Sequence, residues 1–325
     1  MTELNHLDVV ALGELLIDFT ENGLSEQGNP LLEANPGGAP CNVLSMLTRF
    51  GRKTAFIGKV GNDGFGNLLE KAIVEQGISA EGLVKDDEVH TTLALVLKKE
   101  NGDRDFAFYR KPGADVNLNE SEIDPELIRR ADVFHFGTLS LTDEPAKSAT
   151  IKAVAVAEEA GKIITFDPNL REPLWPTLDE AKVQIDWGMK HAHVLKISDN
   201  EITWFTGEDD YDAGVKVLQD RYPNLKLICL SMGPDGSRAY WNGLRVETPA
   251  FLQTGTIETT GAGDTFCASM IHHVLKYGLD GFDEDRLKEM LITGNAAASI
   301  VTTRKGALRV MPTVKEIEDF LASRK

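Results

Sequence analysis

Short apolar runs alternate with amphipathic stretches along most of this chain, and that alternation restricts its fold more than any single motif does. Val9-Val10-Ala11-Leu12 reads as a strand, and Val43, Met46, Leu47 and Phe50 then mark one face of a helix. Ala55-Phe56-Ile57 is again strand-like, and Leu68, Leu69, Ala72 and Ile73 resume helical spacing. The alternation returns with strands at 133–136, 163–166, 194–197 and 227–230. Strands that are apolar throughout are buried on both faces. The sequence therefore predicts an α/β fold with a doubly wound, mainly parallel sheet and helices on both faces. At 325 residues this is one large domain or two modest ones.

One segment breaks the rhythm. Residues 92–98 alternate, Asn101-Gly102 is a dipeptide favoured in tight hairpin turns, and residues 104–110 alternate again, with Phe106, Phe108 and Arg110 on one side. With the polar, turn-rich stretch 20–36, this predicts a small β-sheet lid made of residues 20–36 and 91–111. It would cover a site at the carboxyl ends of the main strands, while 1–19, 37–90 and 112–325 form the large domain. A hairpin with nothing under its apolar side would be a surface ornament, and a lid face also suits pairing with a second subunit.

A net charge of −17 excludes sequence-independent binding of nucleic acid, which rests on Lys and Arg neutralising phosphates. It leaves room for one nucleoside triphosphate screened by Mg²⁺ and a few donors. No apolar run approaches the ~20 residues that span a bilayer, and Met1 to His6 is polar without a signal-peptide core, which points to the cytoplasm. Cys41, Cys229 and Cys267 share no metal-type spacing and read as reduced core thiols. The pairs His191/His193 and His272/His273 lack a matching carboxylate cluster. A complete P-loop, a dinucleotide fingerprint, a zinc-protease motif and a nucleophile elbow are all absent; Gly51-Arg52-Lys53-Thr54 is half a P-loop and leads into a strand.

The chemistry gathers in residues 258–266, Glu-Thr-Thr-Gly-Ala-Gly-Asp-Thr-Phe. Gly261 and Gly263 let successive N–H groups converge on one anion, and the following helix adds the positive end of its dipole. That helix is marked by Cys267, Met270, Ile271, Val274 and Leu275 and ended by Gly278. Asp264 then stands where negative charge is being collected, as a base for a group attacking the anion would. The same residues also suit an acidic first turn with glycines for close packing. Gly37-Gly38-Ala39-Pro40-Cys41-Asn42 puts glycines before a helix with an amide in its first turn, and Asp18 closes a strand-like run. Asn42 and Asp18 could pair with polyol hydroxyls, or serve as turn and cap residues.

Four motifs in order, Gly37 to Asn42, Gly58 to Gly66, Asp167-Pro168-Asn169-Leu170-Arg171 and Thr259 to Asp264, resemble those of the ribokinase-like, or PfkB, carbohydrate kinases over nearly the whole chain. Within that family, Phe108-Tyr109-Arg110 followed by Gly113-Ala114-Asp115 looks most like fructokinases. The resemblance implies ATP and Mg²⁺ as phosphoryl donor and a sugar primary hydroxyl as acceptor, for a fructokinase O6 of fructose. It implies Asp264 as base; Gly261, Ala262 and Gly263 as anion hole; Asp18, Gly37, Gly38 and Asn42 around the sugar; and Phe108 and Arg110 closing over it. On the nucleotide side it implies Ser231, Gly233, Gly236 and Asn295, with Lys196 and Arg171 towards phosphate. Glu201 would organise Mg²⁺ through water, although Ser198 stands where relatives have asparagine. Glu258 stands in for the aspartate beside a potassium site, with carbonyls from Arg304 to Ala307. Kinases of 2-keto-3-deoxygluconate, ribose or nucleosides, and a sugar sensor on the same fold, are the alternatives. A homodimer through the lid is expected.

Overall fold

The computed structural model describes residues 6–98 and 104–324. The chain enters its large sheet with β1 (Leu7–Leu12), then leaves it for β2 (Leu16–Leu24) and β3 (Pro30–Gly37) of a second sheet. It returns through α1 (Ala39–Arg49), β4 (Thr54–Gly61), α2 (Gly64–Glu75) and β5 (Ile78–Asp86). β6 (Leu93–Lys98) and β7 (Arg104–Tyr109) go back to the second sheet. Next come α3 (Pro125–Arg129), β8 (Ala131–Gly137), α4 (Ala146–Glu159), β9 (Ile163–Asp167), α5 (Leu178–His191) and β10 (Val194–Ser198). After α6 (Asp199–Thr206), α7 (Tyr211–Arg221) and β11 (Leu227–Ser231) follow a hairpin, β12 (Ser237–Trp241) and β13 (Leu244–Thr248), and helices α8 (Ala262–Tyr277), α9 (Glu284–Val301) and α10 (Val314–Ala322).

The large sheet runs β13-β12-β11-β10-β9-β8-β1-β4-β5, parallel from β5 to β11 and antiparallel only in the final hairpin. Alternate residues of β1 feed opposite cores. Val9 and Ala11 pack with Leu44, Phe56 and the α8–α9 pair, whereas Val10 and Leu12 pack with Phe134, Phe136 and Phe166. Double burial explains why the parallel strands read as unbroken apolar runs. The chain goes from β1 to β4 on one side and later to β8 on the other, so the strand order reverses at β1. In open α/β sheets the carboxyl ends beside such a reversal form a crevice.

The hairpin β12–β13 was not anticipated, yet its signal is the same as that used for the lid. Asn242 and Gly243 both adopt positive φ, 45° and 79°, as a tight two-residue turn demands. The Asn101-Gly102 turn lies outside the described residues, as does the Phe106 side chain. The strands on either side of that turn pair antiparallel, and the second sheet runs β3-β2-β6-β7. This sheet takes in Leu16 to Ile17 and Gly37, so Asp18 lies within lid strand β2, paired with Asn35 and Ala94, rather than at the end of a main strand.

The motif from Gly58 to Gly66 turns out to fasten the root of the lid. Asp63 caps α2 by accepting from Gly66 N–H at 2.8 Å and also accepts from Thr91 N–H at 2.9 Å, just before β6. A Cβ on Gly66 would collide with the carbonyl oxygen of Gly61, so the turn closes only with glycine there. Lys59 is equally structural, held between Asp86 at 3.0 Å and Glu122 at 2.8 Å. Gly66→Ala should therefore lose about 1–3 kcal/mol by urea denaturation. Gly64→Ala, whose new methyl meets nothing at the first residue of α2, should not lower the midpoint and should add about 0.4–1 kcal/mol.

Candidate active site

The start of α8 builds the floor of the site. Gly261 caps the helix in the left-handed region, φ 79°, where a side chain is strained and a Cβ would press on Ala307 at 2.8 Å. Asp264 is the third residue of the helix, buried, and accepts from Asn42 Nδ2 at 2.8 Å across the interface between α8 and α1. Burial raises its pKa, against the Asn42 hydrogen bond and the positive charges of Lys196 and Arg171. The Ala262 N–H points back to Thr259 O at 3.2 Å, so within the glycine turn Gly261 and Gly263 are the residues left to offer their amides to an anion. Asn42 is itself buried, and its Oδ1 has no partner among the described residues. An orphan acceptor beside the candidate base calls for a donor such as a hydroxyl.

These groups open into a cleft of about 510 Å³ at the carboxyl ends of the strands, lined also by Asp18, Gly38, Phe108, Asn169, Arg171 and Glu258. The Asp18 carboxyl is raised to about 7, first by loss of solvent and then by Asp264 and Glu258, with Arg171 opposing. A Cβ on Gly37 would strike that carboxylate, and a Cβ on Gly38, φ 126°, would strike Glu14 O. The glycine pair thus lets the lid carboxylate and α1 meet at one wall. Asn169 adopts φ 42°, a conformation Asn tolerates better than most side chains, and bends the loop after β9 so that Arg171 faces the cleft.

Deeper in, Asp167, Lys196, Ser198 and Ser231 follow one another along the ends of β9, β10 and β11. Lys196 Nζ lies 3.1 Å from Asp167 and would be 3.4 Å from a Cβ on Gly263, so it reaches under the glycine turn. Burial disfavours its charge, but Asp167 and Glu201 outweigh burial and raise its pKa. Asp167 is raised as well, to about 7, chiefly by burial and then by Glu201 and Asp264 against the pull of Lys196. Both directions follow from one imbalance, in which three carboxylates surround a single ammonium. The lysine stays protonated and the surplus acid binds protons readily.

Several sequence expectations change here. Arg110 does not line the cleft. It is buried, with its guanidinium on Asp115 at 2.7–2.8 Å, Thr142 Oγ1 at 2.8 Å and Leu139 O at 2.7 Å, because a buried arginine must find acceptors in every direction. Asn295 engages its amide within the protein. It accepts from Ser237 Oγ at 2.9 Å and donates to Thr248 Oγ1 and Pro249 O, tying α9 to the β12–β13 hairpin. Glu201 spends one oxygen on Ser198 N–H at 2.9 Å and the other on Leu170 N–H at 2.8 Å, so it caps α6 and clamps the 168–171 loop. Ser198, as the reciprocal cap, explains why asparagine is not needed there. Ser231, Gly233 and Gly236 lie at the end of β11 and its turn, outside the cleft lining. Glu258 lines the cleft and accepts from Gly306 N–H at 2.6 Å, joining the two loops expected beside potassium. Among the described residues, a cluster of three potential metal ligands occurs only at exposed or half-buried His6, Asp8 and Asp132, at the amino ends of β1 and β8 and so opposite the carboxyl ends that form the cleft.

Glu14 is the residue that sequence reasoning passed over. It is buried at the cleft wall and accepts from Ala39 N–H at 2.7 Å, bracing the first turn of α1 that carries Asn42. Its signal was available, since a carboxylate directly after an apolar strand and a glycine needs a partner. Its pKa rises from 4.5 to about 7, mainly through burial.

The profile of the pfkB family carbohydrate kinases matches residues 6–314. A probable fructokinase-4 from Arabidopsis thaliana is 41% identical over 315 residues, covering 96% of each chain. The crystal structure of a fructokinase with bound ATP from Xylella fastidiosa superimposes with a TM-score of 0.89 at 26% identity, covering 98% of both chains. A double mutant of the fructokinase from Vibrio cholerae O395, with fructose, ADP and a potassium ion bound, gives a TM-score of 0.87 at 27% identity over 98% of this chain and 99% of that one.

The buried Glu14 carries a consequence for stability. Between its unfolded value near 4.5 and its folded value near 7 the folded protein holds a proton that the unfolded chain releases, so stability falls as pH rises through that window. Glu14→Gln keeps an acceptor for Ala39 and removes the titration. It should be more stable than the parent by on the order of 1–3 kcal/mol at pH 8 and no more stable at pH 4, measured by urea denaturation at both values.

Proposed function

The chain belongs to the pfkB family of carbohydrate kinases, and from that premise we propose that it transfers the γ-phosphoryl group of ATP to the 6-hydroxyl of D-fructose, yielding fructose 6-phosphate and ADP. The buried carboxylate of Asp264 carries this reading, because it stands at the N-terminus of α8 beside the Gly261–Gly263 turn and beside an unpaired acceptor on Asn42. Asp264 accepts the hydroxyl proton as that oxygen attacks phosphorus in line, and the β–γ bridging oxygen leaves with ADP. Burial makes Asp264 a stronger base than an exposed aspartate, and the amides at the start of α8 take up charge on the transferring group. Asp18, Gly38 and Asn42 orient the sugar, with Phe108 above it.

Lys196, at the back of the glycine turn, meets phosphate oxygens, and the Ser231–Gly236 turn receives the rest of the nucleotide. Asp167, against the buried Lys196, and Glu201 nearby are the carboxylates that a divalent cation arriving with the phosphates would meet. Glu201 would hold it through water, and Mg²⁺ bound there would neutralise charge on the phosphates. Glu258 and the 304–307 loop, already joined, fit a potassium ion. A neutral sugar suits the cleft better than 2-keto-3-deoxygluconate. Glu14, Asp18, Glu21, Glu258 and Asp264 line it against Arg171 and Lys305, and Arg110 is neutralised by Asp115. Exposed Leu24, Leu31, Leu32 and Tyr109 on the lid sheet support a homodimer formed through it. No helix among the described residues is long and apolar enough to cross a membrane.

Asp264→Asn should lower kcat by about 10²–10⁴ with a folded protein, in a coupled ADP-release assay. In the same assay the parent enzyme should prefer fructose to ribose, glucose, 2-keto-3-deoxygluconate and adenosine, and respond to potassium. Sugar-independent ATP turnover equal to the sugar-dependent rate, or none at all, would favour a sensor.

A further inference from the structure

The two ends of the β6–β7 ribbon meet in a buried polar knot that the chemistry above does not use. Thr92, the residue before β6, donates its hydroxyl to one oxygen of Asp115, and Arg110, the residue after β7, takes the other at 2.8 Å. The remaining arginine donors reach Leu139 O and Thr142 Oγ1 on the loop after β8, in the large domain. All three side chains are at most 4% exposed. Residue 113 has to be glycine, because a Cβ there would collide with Thr92 Oγ1 and close the path to Asp115.

Stability alone is a poor reason for such a knot. A buried ion pair loses so much hydration that apolar residues of the same volume usually serve as well, and what it adds is a fixed geometry. Here the geometry concerns both strands of the lid and the wall they close against. Phe108 lies two residues before Arg110 and lines the cleft, as does Leu139, whose carbonyl Arg110 holds. Arg110 therefore connects a lid side chain to the opposite wall without entering the site.

We propose that Thr92, Arg110 and Asp115 form a latch that sets the height of the lid over the sugar, making Arg110 a positioning residue that acts through Phe108 and Leu139. The inference rests on the sugar kinase reading for its catalytic consequence. A lid held at the wrong height admits water and misplaces the acceptor hydroxyl, whereas the nucleotide side is untouched.

Arg110→Lys keeps the charge but loses the fork, and Asp115→Asn keeps the shape but loses the charge. Each should raise the fructose KM about tenfold or more, leave the ATP KM within about twofold, and raise the ratio of sugar-independent ATP hydrolysis to fructose phosphorylation. Thr92→Val should do the same more mildly, and Thr92→Ser should restore parental values. Hydrogen exchange of the β6 and β7 amides, measured without ligands, should accelerate in Asp115→Asn while β8 to β11 stay protected. Variants that lose turnover only in proportion to their folded fraction, with fructose KM and the hydrolysis ratio unchanged, would overturn the latch. If the parent protein phosphorylates no sugar, the kinase reading fails instead, and unchanged lid exchange in Asp115→Asn would then overturn the latch on its own.

Discussion

A carboxylate serves as a base on a sugar hydroxyl only if it is withdrawn from water without being tied up by a permanent cation, and the start of α8 meets both demands at Asp264. Burial lifts its proton affinity. Among the described residues, the one side chain hydrogen-bonded to it is the neutral amide of Asn42, which orients one oxygen and leaves the second to the cleft. Lys196 is close enough to temper the charge but is engaged with Asp167. The helix terminus adds unpaired N–H groups without adding a proton that could be donated. Much of the rest of the architecture follows from holding this corner. α1 must cross α8 so that Asn42 can reach Asp264, which demands a sharp entry after β3, and Gly37 and Gly38 make that entry while Glu14 braces it.

The parallel sheet supplies the second requirement, convergence. Because β9, β10 and β11 run side by side in register, their last residues present Asp167, Lys196 with Ser198, and Ser231 along one edge without any long-range coincidence of loops. Burying carboxylates around this corner is costly, and the raised pKa values of Glu14, Asp18 and Asp167, each due first to loss of solvent, record that cost. A site that must receive a sugar, a triphosphate and cations is better served by unsatisfied charge than by a relaxed network. Stability forgone here is consistent with the site's work.

Much of this was legible in the sequence wherever a residue's role is local. The strands at β1, β4 and β8 to β11 are buried on both faces, so their composition announces them, and the α8 terminus is written in a contiguous motif. Asn42 beside Asp264 was placed at the same site through a family resemblance, since 222 positions separate them and no local pattern joins them. Two kinds of residue misled. Arg110 and Asn295 carry polar groups that suggest a ligand, but whether an arginine or amide faces a cleft or a core depends on partners supplied by distant elements, here Asp115 with Leu139 and the β12–β13 hairpin. Asp18 was assigned to a main strand because a backbone that leaves one sheet for another changes no residue type at the crossing. Conversely, the Gly58–Gly66 motif entered only through the family resemblance, and its work in the fold is steric closeness around Asp63.

That last point joins the lid to the catalytic corner. The lid sheet is not an independent appendage, since β2 pairs parallel with β6, and β2 carries Asp18 into the cleft. Ile17 N–H donates to Thr92 O at 3.2 Å, so the strand that bears the sugar-facing carboxylate is hydrogen-bonded to the residue that enters the Asp115 knot. One residue earlier, Thr91 is held by Asp63 at the α2 cap. Any displacement of the β6 root therefore moves Asp18 as well as Phe108. A lid built this way cannot open as a flap hinged at loose ends; it has to tilt with its root fixed, and sugar contacts from β2 and β7 must be made or lost together.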